Sequence, residues 1–479
     1  MNKTSSAKTN FIFNSIYQLS NILVPLVTMP YLSRVLKSEG LGQYSFAFSV
    51  AYYFGVFIKL GLQNYGNRSI AYVKDDKDKL SRTFWEIYTF QFILGVIIFI
   101  LYVLYSVLFA PVKVLGIVMG IYVLSSLIDV TWCLYGLEKF KVTSTRDVIT
   151  KVITTVCIFV FVKKPEDVWL YALFFSAGML INQIVVLPLL KDEISFAKVT
   201  PEGVIKHIKP NLVLFIPVVA VSIYRTMDKI MLGIMSTDSE LGYYHGAENV
   251  IRVPMAFVTA LGTVMLPRMS NMIAHGEHDK SIRNTFDKSI VFAMFIATSI
   301  CFGIMTVSKE FVPLFYGVGF ETCNYLFYII LPGSMFEAFA NVIRTQYLIP
   351  RKKDKIYVLS LVMGAGINLI INLLLIPKLA SIGAAIGTFT AYAMVCIVQA
   401  VCVFKEAHIG RNIINSVPYI LSGILMFAVF MNYTPKGMND IVGLLVKIVI
   451  SGAFYLAVLA VLLGVKRFFG NRLNAEKTE

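Results

Sequence analysis

Runs of about 20 mostly apolar residues follow one another along almost the whole chain, each long enough to cross the hydrocarbon core of a bilayer as a helix. The spacing predicts about 14 spans, at 10–36, 41–66, 85–109, 112–137, 144–162, 167–190, 208–235, 240–267, 286–307, 322–349, 355–376, 379–404, 412–432 and 440–465. The breaks between them are short and leave no room for a soluble catalytic domain. Composition agrees: 57% of the residues are hydrophobic and 15% charged, too little polar surface to cover a chain of 479 residues in water. The expected fold class is an all-α polytopic membrane protein. Its six cysteines lie in or beside apolar runs without C-x-x-C spacing and read as ordinary buried thiols. Lys3 and Lys8 ahead of an apolar stretch resemble a signal peptide, but the stretch is too long, carries Asn and Gln, and lacks a small-x-small cleavage site. It is expected to be a retained first helix.

Charge tests this layout independently of hydropathy. Of 43 Lys and Arg, 28 fall at the two termini and the even-numbered connections, 8 at the odd-numbered ones and 7 within spans. A missed or invented span would scramble that asymmetry. Both termini are therefore expected in the cytoplasm, with most of the net +15 charge serving orientation and meeting membrane lipids, not nucleic acid.

Shifting the chain by 200 residues superposes Leu41, Gly42, Tyr44, Ala47, Val50, Phe57 and Arg68 on Leu241, Gly242, Tyr244, Ala247, Val250, Phe257 and Arg268. The match continues into the connections, where Asp78-Lys79-x-x-Arg82 answers Asp279-Lys280-x-x-Arg283. Six spans separate the copies, so both keep one orientation, as parallel repeats do. The expected organisation is a first six-helix lobe at 1–205, a second at 206–405, and two additional helices with a tail at 406–479. Two such lobes around a midplane site suit alternating access.

Two segments in each half carry a resemblance. Pro30-Tyr31-Leu32-Ser33-Arg34-Val35-Leu36 followed by Gly40-Leu41-Gly42-Gln43-Tyr44-Ser45-Phe46-Ala47 opens the first half, and Tyr224-Arg225-Thr226-Met227-Asp228-Lys229-Ile230-Met231-Leu232-Gly233 with Leu261-Gly262-Thr263-Val264-Met265-Leu266-Pro267-Arg268 lies in the second. They resemble the polysaccharide-transporter branch of the multidrug/oligosaccharidyl-lipid/polysaccharide exporter superfamily, in particular its O-antigen and capsule repeat-unit flippases. The resemblance implies a bacterial cytoplasmic-membrane flippase that turns a polyprenyl-diphosphate-linked oligosaccharide from the inner to the outer leaflet, alongside other polysaccharide-assembly proteins. It implies no catalytic residue, no metal and no cofactor. A peptidoglycan-precursor flippase and a multidrug exporter of the same superfamily are the alternatives; a glycosyltransferase or polymerase would need larger outer connections. No P-loop is present.

Charged side chains inside a bilayer cost about 2.5–3.5 kcal/mol at a helix centre, so they face a cavity or a partner. The intramembrane cations are Lys59, Lys151, Arg225, Lys229, Arg252, Arg344 and Lys447; the clearest acids are Asp129, Asp147, Asp228, Glu248 and Glu337. Cations suit the diphosphate of the implied substrate, and Arg adds bidentate geometry. Asp147/Lys151 and Glu248/Arg252 are spaced i, i+4 and Arg225/Asp228 i, i+3, so each also reads as an intrahelical pair. One Asp228 cannot neutralise both Arg225 and Lys229, and Lys59 has no acid at helical spacing. Lys59, Arg225, Lys229 and Arg252, then Arg344, are the expected substrate contacts. Lys447 lies outside the repeat, where it also reads as a snorkelling lysine.

Asn14, Gln18 and Asn21 share one face of span 1 with Thr28, in a register that Pro25 fills, and are expected to meet sugar hydroxyls or a neighbouring helix. Pro25 and Pro30 remove backbone donors and are expected to serve as a hinge. Asp129, Asp228, Glu248 and Glu337 are candidates for coupling to a proton or a sodium ion; no motif distinguishes coupling from transport driven by the glycan gradient.

Overall fold

In a computed structural model, which describes residues 7–435 and 437–475 and omits the side chains of 7–15, 17, 18, 224, 225, 467 and 469–475, every regular element is helical. By contact density the chain divides into Met1–His245 and Gly246–Glu479.

The first unit holds α1 (Ala7–Lys59), α2 (Leu62–Val73), α3 (Lys77–Leu108), α4 (Lys113–Leu127), α5 (Thr131–Gly136), α6 (Phe140–Phe161), α7 (Val168–Ile184), α8 (Pro201–Ile205), α9 (Ile208–Met235) and the start of α10 (Asp238–Ala274). At about 1.5 Å per residue, the 53 residues of α1 would run to about 80 Å, far beyond the ~30 Å hydrocarbon core. The helix is broken at Lys37, whose φ of 60° and ψ of −178° end one crossing and start the next. Pro25 and Pro30 lie inside its first part without ending it.

The span expected at 41–66 stops earlier, at Lys59. Leu60 turns to φ 46° and α2 starts afresh with its apolar face, Leu62, Tyr65 and Ile70, against Phe84, Ile87, Trp132 and Leu134. A buried polar cluster fastens the chain between α7 and α9 onto this end. Glu86 receives Lys206 at 2.6 Å, Arg82 at 3.1 Å and His207 Nε2 at 3.2 Å, while Tyr65 Oη lies 2.5 Å from His207 Nδ1. An ionised Glu86 only accepts, so Nε2 donates to it and Nδ1 accepts from the tyrosine.

Gly42 and Gly242 allow a backbone-to-backbone approach. A Cβ on Gly42 would sit 1.7 Å from the Asp238 carbonyl oxygen, and one on Gly242 would sit 1.9 Å from that of Ser38. The partners are themselves 200 residues apart, so the register of the sequence repeat reappears as a reciprocal contact.

The second unit holds the rest of α10, α11 (Asp279–Tyr316), α12 (Thr322–Ile343), a π-helical turn (Arg344–Leu348), α13 (Asp354–Cys402), α14 (Ile409–Phe430) and α15 (Asp440–Ala475). Its core joins Met265, Met269, Ile282, Phe286 and Ile290 to Phe339, Ile343, Tyr347 and Val395. The 49-residue α13 is broken at Ala380, with φ 49° and ψ −125°. Lys447 does not snorkel. It is wholly buried and meets both oxygens of Glu310, at 2.8 and 2.9 Å, fixing α15 on α11. Tyr455 and Thr298 share a second polar contact between the same helices at 2.9 Å.

Eleven helices among the described residues are long and apolar enough to cross a membrane, two of them, Leu19–Val73 and Asp354–Cys402, containing the breaks just described. The charged α6 is not among the eleven. Along α3 the exposed side chains Ile93, Val96, Ile97, Ile100, Leu101 and Leu104 form a surface that only lipid solvates without cost. The chain is an all-helical, multi-pass membrane protein.

Candidate functional site

The span expected as one helix at 112–137 is interrupted. α4 ends at Leu127 and α5 begins at Thr131, with Asp129 between them and 7% exposed. Carbonyls freed by a break need partners where no water reaches them. Gln91, wholly buried on α3, supplies them: its Nε2 points at the carbonyls of Asp129 (2.9 Å), Ser126 (3.2 Å) and Leu127 (3.4 Å). Trp132 Nε1 donates to Gln91 Oε1 at 2.9 Å, which fixes the amide in that orientation. Asp129 Oδ1 accepts from the Thr131 N–H at 2.9 Å and closes the turn, as Asp side chains do at such positions.

Lys59, the last residue of α1, brings its ammonium to 3.4 Å from Asp129 Oδ2. The acid that helical spacing withheld from Lys59 thus comes from another helix. Two expected residues of different roles, a phosphate contact and an ion-coupling acid, meet in one pair.

Arg146, near the start of the span expected at 144–162 and not among the expected intramembrane cations, is 7% exposed on α6 and extends this network. Its Nη2 donates to Thr131 Oγ1 at 3.0 Å and its Nη1 to the Asn182 carbonyl at 2.7 Å, while Nε lies 3.5 Å from Asp147 Oδ1. Asn182 Nδ2 donates to Asp147 Oδ1, and Thr131 Oγ1 to Gln183 Oε1 at 3.3 Å. Further along α6, Lys151 donates to Asn21 Oδ1 at 2.5 Å and Ser20 Oγ at 3.3 Å on α1. Asn21 of the amide face therefore meets a neighbouring helix; the side chains of Asn14 and Gln18 lie outside the described residues. Helices α1, α3, α5, α6 and α7 converge on three cations, Lys59, Arg146 and Lys151, and two carboxylates, Asp129 and Asp147. Their formal charges leave an excess of one positive.

The other expected residues make contacts of their own. On α9, Asp228 accepts from Tyr244 Oη at 2.7 Å and Lys229 is buried, while the Arg225 side chain lies outside the described residues. In the second unit Glu248 pairs with Arg252 at 2.8 Å as helical spacing predicts, with the Arg side chain 56% exposed. Glu337 lies 3.6 Å from Arg344, whose guanidinium stands 5.6 Å from the Tyr357 ring at the start of the π-helical turn. Among the described residues no group of three or more His, Cys, Asp or Glu is placed to hold a metal, and the six cysteines are free thiols.

A family model described as polysaccharide biosynthesis protein matches residues 7–273. The chain is similar to the "Putative O-antigen transporter" of Escherichia coli (strain K12), 24% identical over 400 residues that cover 82% of this chain and 95% of the relative. It is also similar to the "Probable low-salt glycan biosynthesis flippase Agl15" of Haloferax volcanii, 27% identical over 232 residues, 47% of this chain and 48% of that one. Among solved structures the fold is similar to that of the lipid II flippase MurJ in an inward closed conformation, with a TM-score of 0.78 at 15% identity, covering 94% of this chain and 98% of that one. An inward-facing multidrug resistance MATE family transporter of the MOP superfamily gives a TM-score of 0.59 at 14% identity, covering 88% and 100%.

Proposed function

The chain belongs to the polysaccharide biosynthesis protein family, in the polysaccharide-transporter branch of the multidrug/oligosaccharidyl-lipid/polysaccharide exporter superfamily, and on that footing we propose that it flips a lipid-linked oligosaccharide across the cytoplasmic membrane of a bacterium, with both termini in the cytoplasm. The substrate is a polyprenyl-diphosphate-linked repeat unit handed over by other polysaccharide-assembly proteins. The names of the relatives, an O-antigen transporter and a glycan biosynthesis flippase, support the class of cargo.

The observation that carries the reading is the cluster around Asp129. A diphosphate leaving water needs fixed positive charge in its place, and a helix bundle that gathers three cations, with Arg146 buried among them, around two carboxylates offers it. Lys59 is open to an incoming anion, with 34% of its side chain exposed and a carboxylate contact of 3.4 Å to Asp129. Arg225, Lys229, Arg252 and Arg344 add further phosphate contacts as the two repeats, at 1–205 and 206–405, alternate between inward and outward access, with Pro25 and Pro30 as the hinge of α1. Asp129, Asp228, Glu248 and Glu337 are the groups through which a proton or a sodium ion would be coupled.

Complementation of a panel of flippase-deficient strains tests this, scoring which surface glycan returns. The wild-type chain should restore one. Lys59→Gln, Arg225→Gln, Lys229→Gln and Arg252→Gln should each lower the restored glycan at normal expression. Full transport by all four, or a drug-efflux phenotype alone, defeats the reading.

A further inference from the structure

We propose that Arg146 is a positioning residue for Lys59, acting through Thr131 and Asp129 to set how tightly the ammonium is held when an anion arrives. The inference rests on the reading that Lys59 contacts the diphosphate. Three links join the two cations: Arg146 Nη2 to Thr131 Oγ1 (3.0 Å), Thr131 N–H to Asp129 Oδ1 (2.9 Å), and Asp129 Oδ2 to Lys59 Nζ (3.4 Å). The first two are hydrogen bonds of ordinary length. The third is longer than the 2.7–2.9 Å or so of a good charge-assisted bond.

Firmness and exposure run together along this chain. Arg146 and Asp129 are 7% exposed, Thr131 9%, and the Gln91 that satisfies the break 0%, whereas a third of the Lys59 side chain is open. The helix break is thus a fixed platform, and the lysine is the arm that leaves it. Arg146 holds the platform from two sides, because a planar guanidinium reaches Thr131 of α5 and the Asn182 carbonyl of α7 at once. Its charge also competes with Lys59 for the field of Asp129. Removing it leaves Asp129 to Lys59 and abolishes the positive excess of the cluster. Both effects point the same way: the ammonium is withheld and anion binding weakens.

The test measures binding of inorganic pyrophosphate to the full-length protein in nanodiscs, counting only the binding that Lys59→Gln removes. Arg146→Gln should weaken that binding about tenfold, the size of a coupling between residues in one network. In an Asp129→Asn background, where the ammonium is no longer held, Arg146→Gln should change it less than about twofold. Arg146→Lys, which keeps the charge and loses the two-sided grip, should fall between wild type and Gln, and its effect should also vanish with Asp129→Asn. It serves in place of the Gln variant if that one loses its thermal transition. An Arg146 effect of equal size in both backgrounds overturns the positioning role while leaving the site intact. Pyrophosphate binding that Lys59→Gln does not touch overturns the site itself.

Discussion

Replacing Lys447 by Met and Glu310 by Leu, singly and together, separates the strength of the α11–α15 ion pair from the cost of breaking it. Lys447 has no exposed side-chain surface and Glu310 retains 18%, with both carboxylate oxygens within 2.9 Å of the ammonium. Removing one partner of a buried pair costs about 3–5 kcal/mol, because the survivor stays desolvated and unpaired. The two singles should differ. Glu310→Leu strands an ammonium with no exposed surface and belongs near the upper end, about 5 kcal/mol; Lys447→Met leaves a carboxylate that keeps 18% of its side chain exposed, about 3 kcal/mol. At roughly 2–4 °C per kcal/mol for a unit of this size, thermal unfolding of the purified protein should fall by about 6–12 °C for Lys447→Met and 10–20 °C for Glu310→Leu. The double variant removes both charges and puts apolar groups in their place, so it should lie within about 1–2 kcal/mol of wild type. Singles without effect, or a double variant as unstable as the two singles added together, would refute the claim that this pair is what seats α15.

Other consequences can be checked separately. Gly42→Ala and Gly242→Ala each place a methyl within 2 Å of a carbonyl oxygen, so each should cost about 1–3 kcal/mol in thermal unfolding. The second substitution should cost less than the first, because the approach has already been opened. Replacing Pro25 and Pro30 together by Leu should lower glycan export without lowering membrane insertion, read by complementation against immunoblot; unchanged export removes the hinge. Glu406 is held below the ordinary carboxylate range by hydrogen bonds from Lys353 and Tyr347, so its contacts are complete above that range and are lost as pH falls through the lowered value. Amide exchange at 403–408 should therefore accelerate in acid, and Glu406→Gln should remove that pH dependence. Cys402, the exposed cysteine at the end of α13, should react with a membrane-impermeant maleimide in inside-out vesicles and resist it in right-side-out ones, as cytoplasmic termini require.

The helices were legible because hydropathy is local. Apart from 41–66 and 112–137, each of which is split between two helices, the apolar runs fall on helices, and the recurrence of Leu-Gly-x-Tyr at 41 and 241 marks the two places where helix starts touch. What was not legible depends on residues far apart in the chain. Lys59 and Asp129 are 70 positions apart and Lys447 and Glu310 137, so no helical spacing could pair them. The break at Asp129 has no Gly or Pro between 127 and 131 to announce it, and the side chain that satisfies its carbonyls, Gln91, sits on α3. Arg146 stands at the edge of an apolar run and is not among the expected intramembrane cations; only the positions of Thr131 and Asn182 show it to be inside. The turn at Leu60 is equally silent, a branched residue at positive φ where a glycine would have given warning.

The reciprocal approach of Gly42 to Asp238 and Gly242 to Ser38 is self-complementary, the kind of contact that two copies of one chain make across a two-fold axis. In a homodimer a substitution at such a contact strikes both sides together, so neither side can change alone. Within one polypeptide that constraint is absent: a change at 42 leaves 242 as it was. The sequence differs between matching positions elsewhere. The positions 200 or 201 residues beyond Lys59, Asp129 and Arg146 hold Thr259 or Ala260, Ile329 or Ile330, and Gln346 or Tyr347, none of them charged. A charged platform therefore stands at one set of positions of the 200-residue register and not at their counterparts, an asymmetry that a symmetric dimer could not carry.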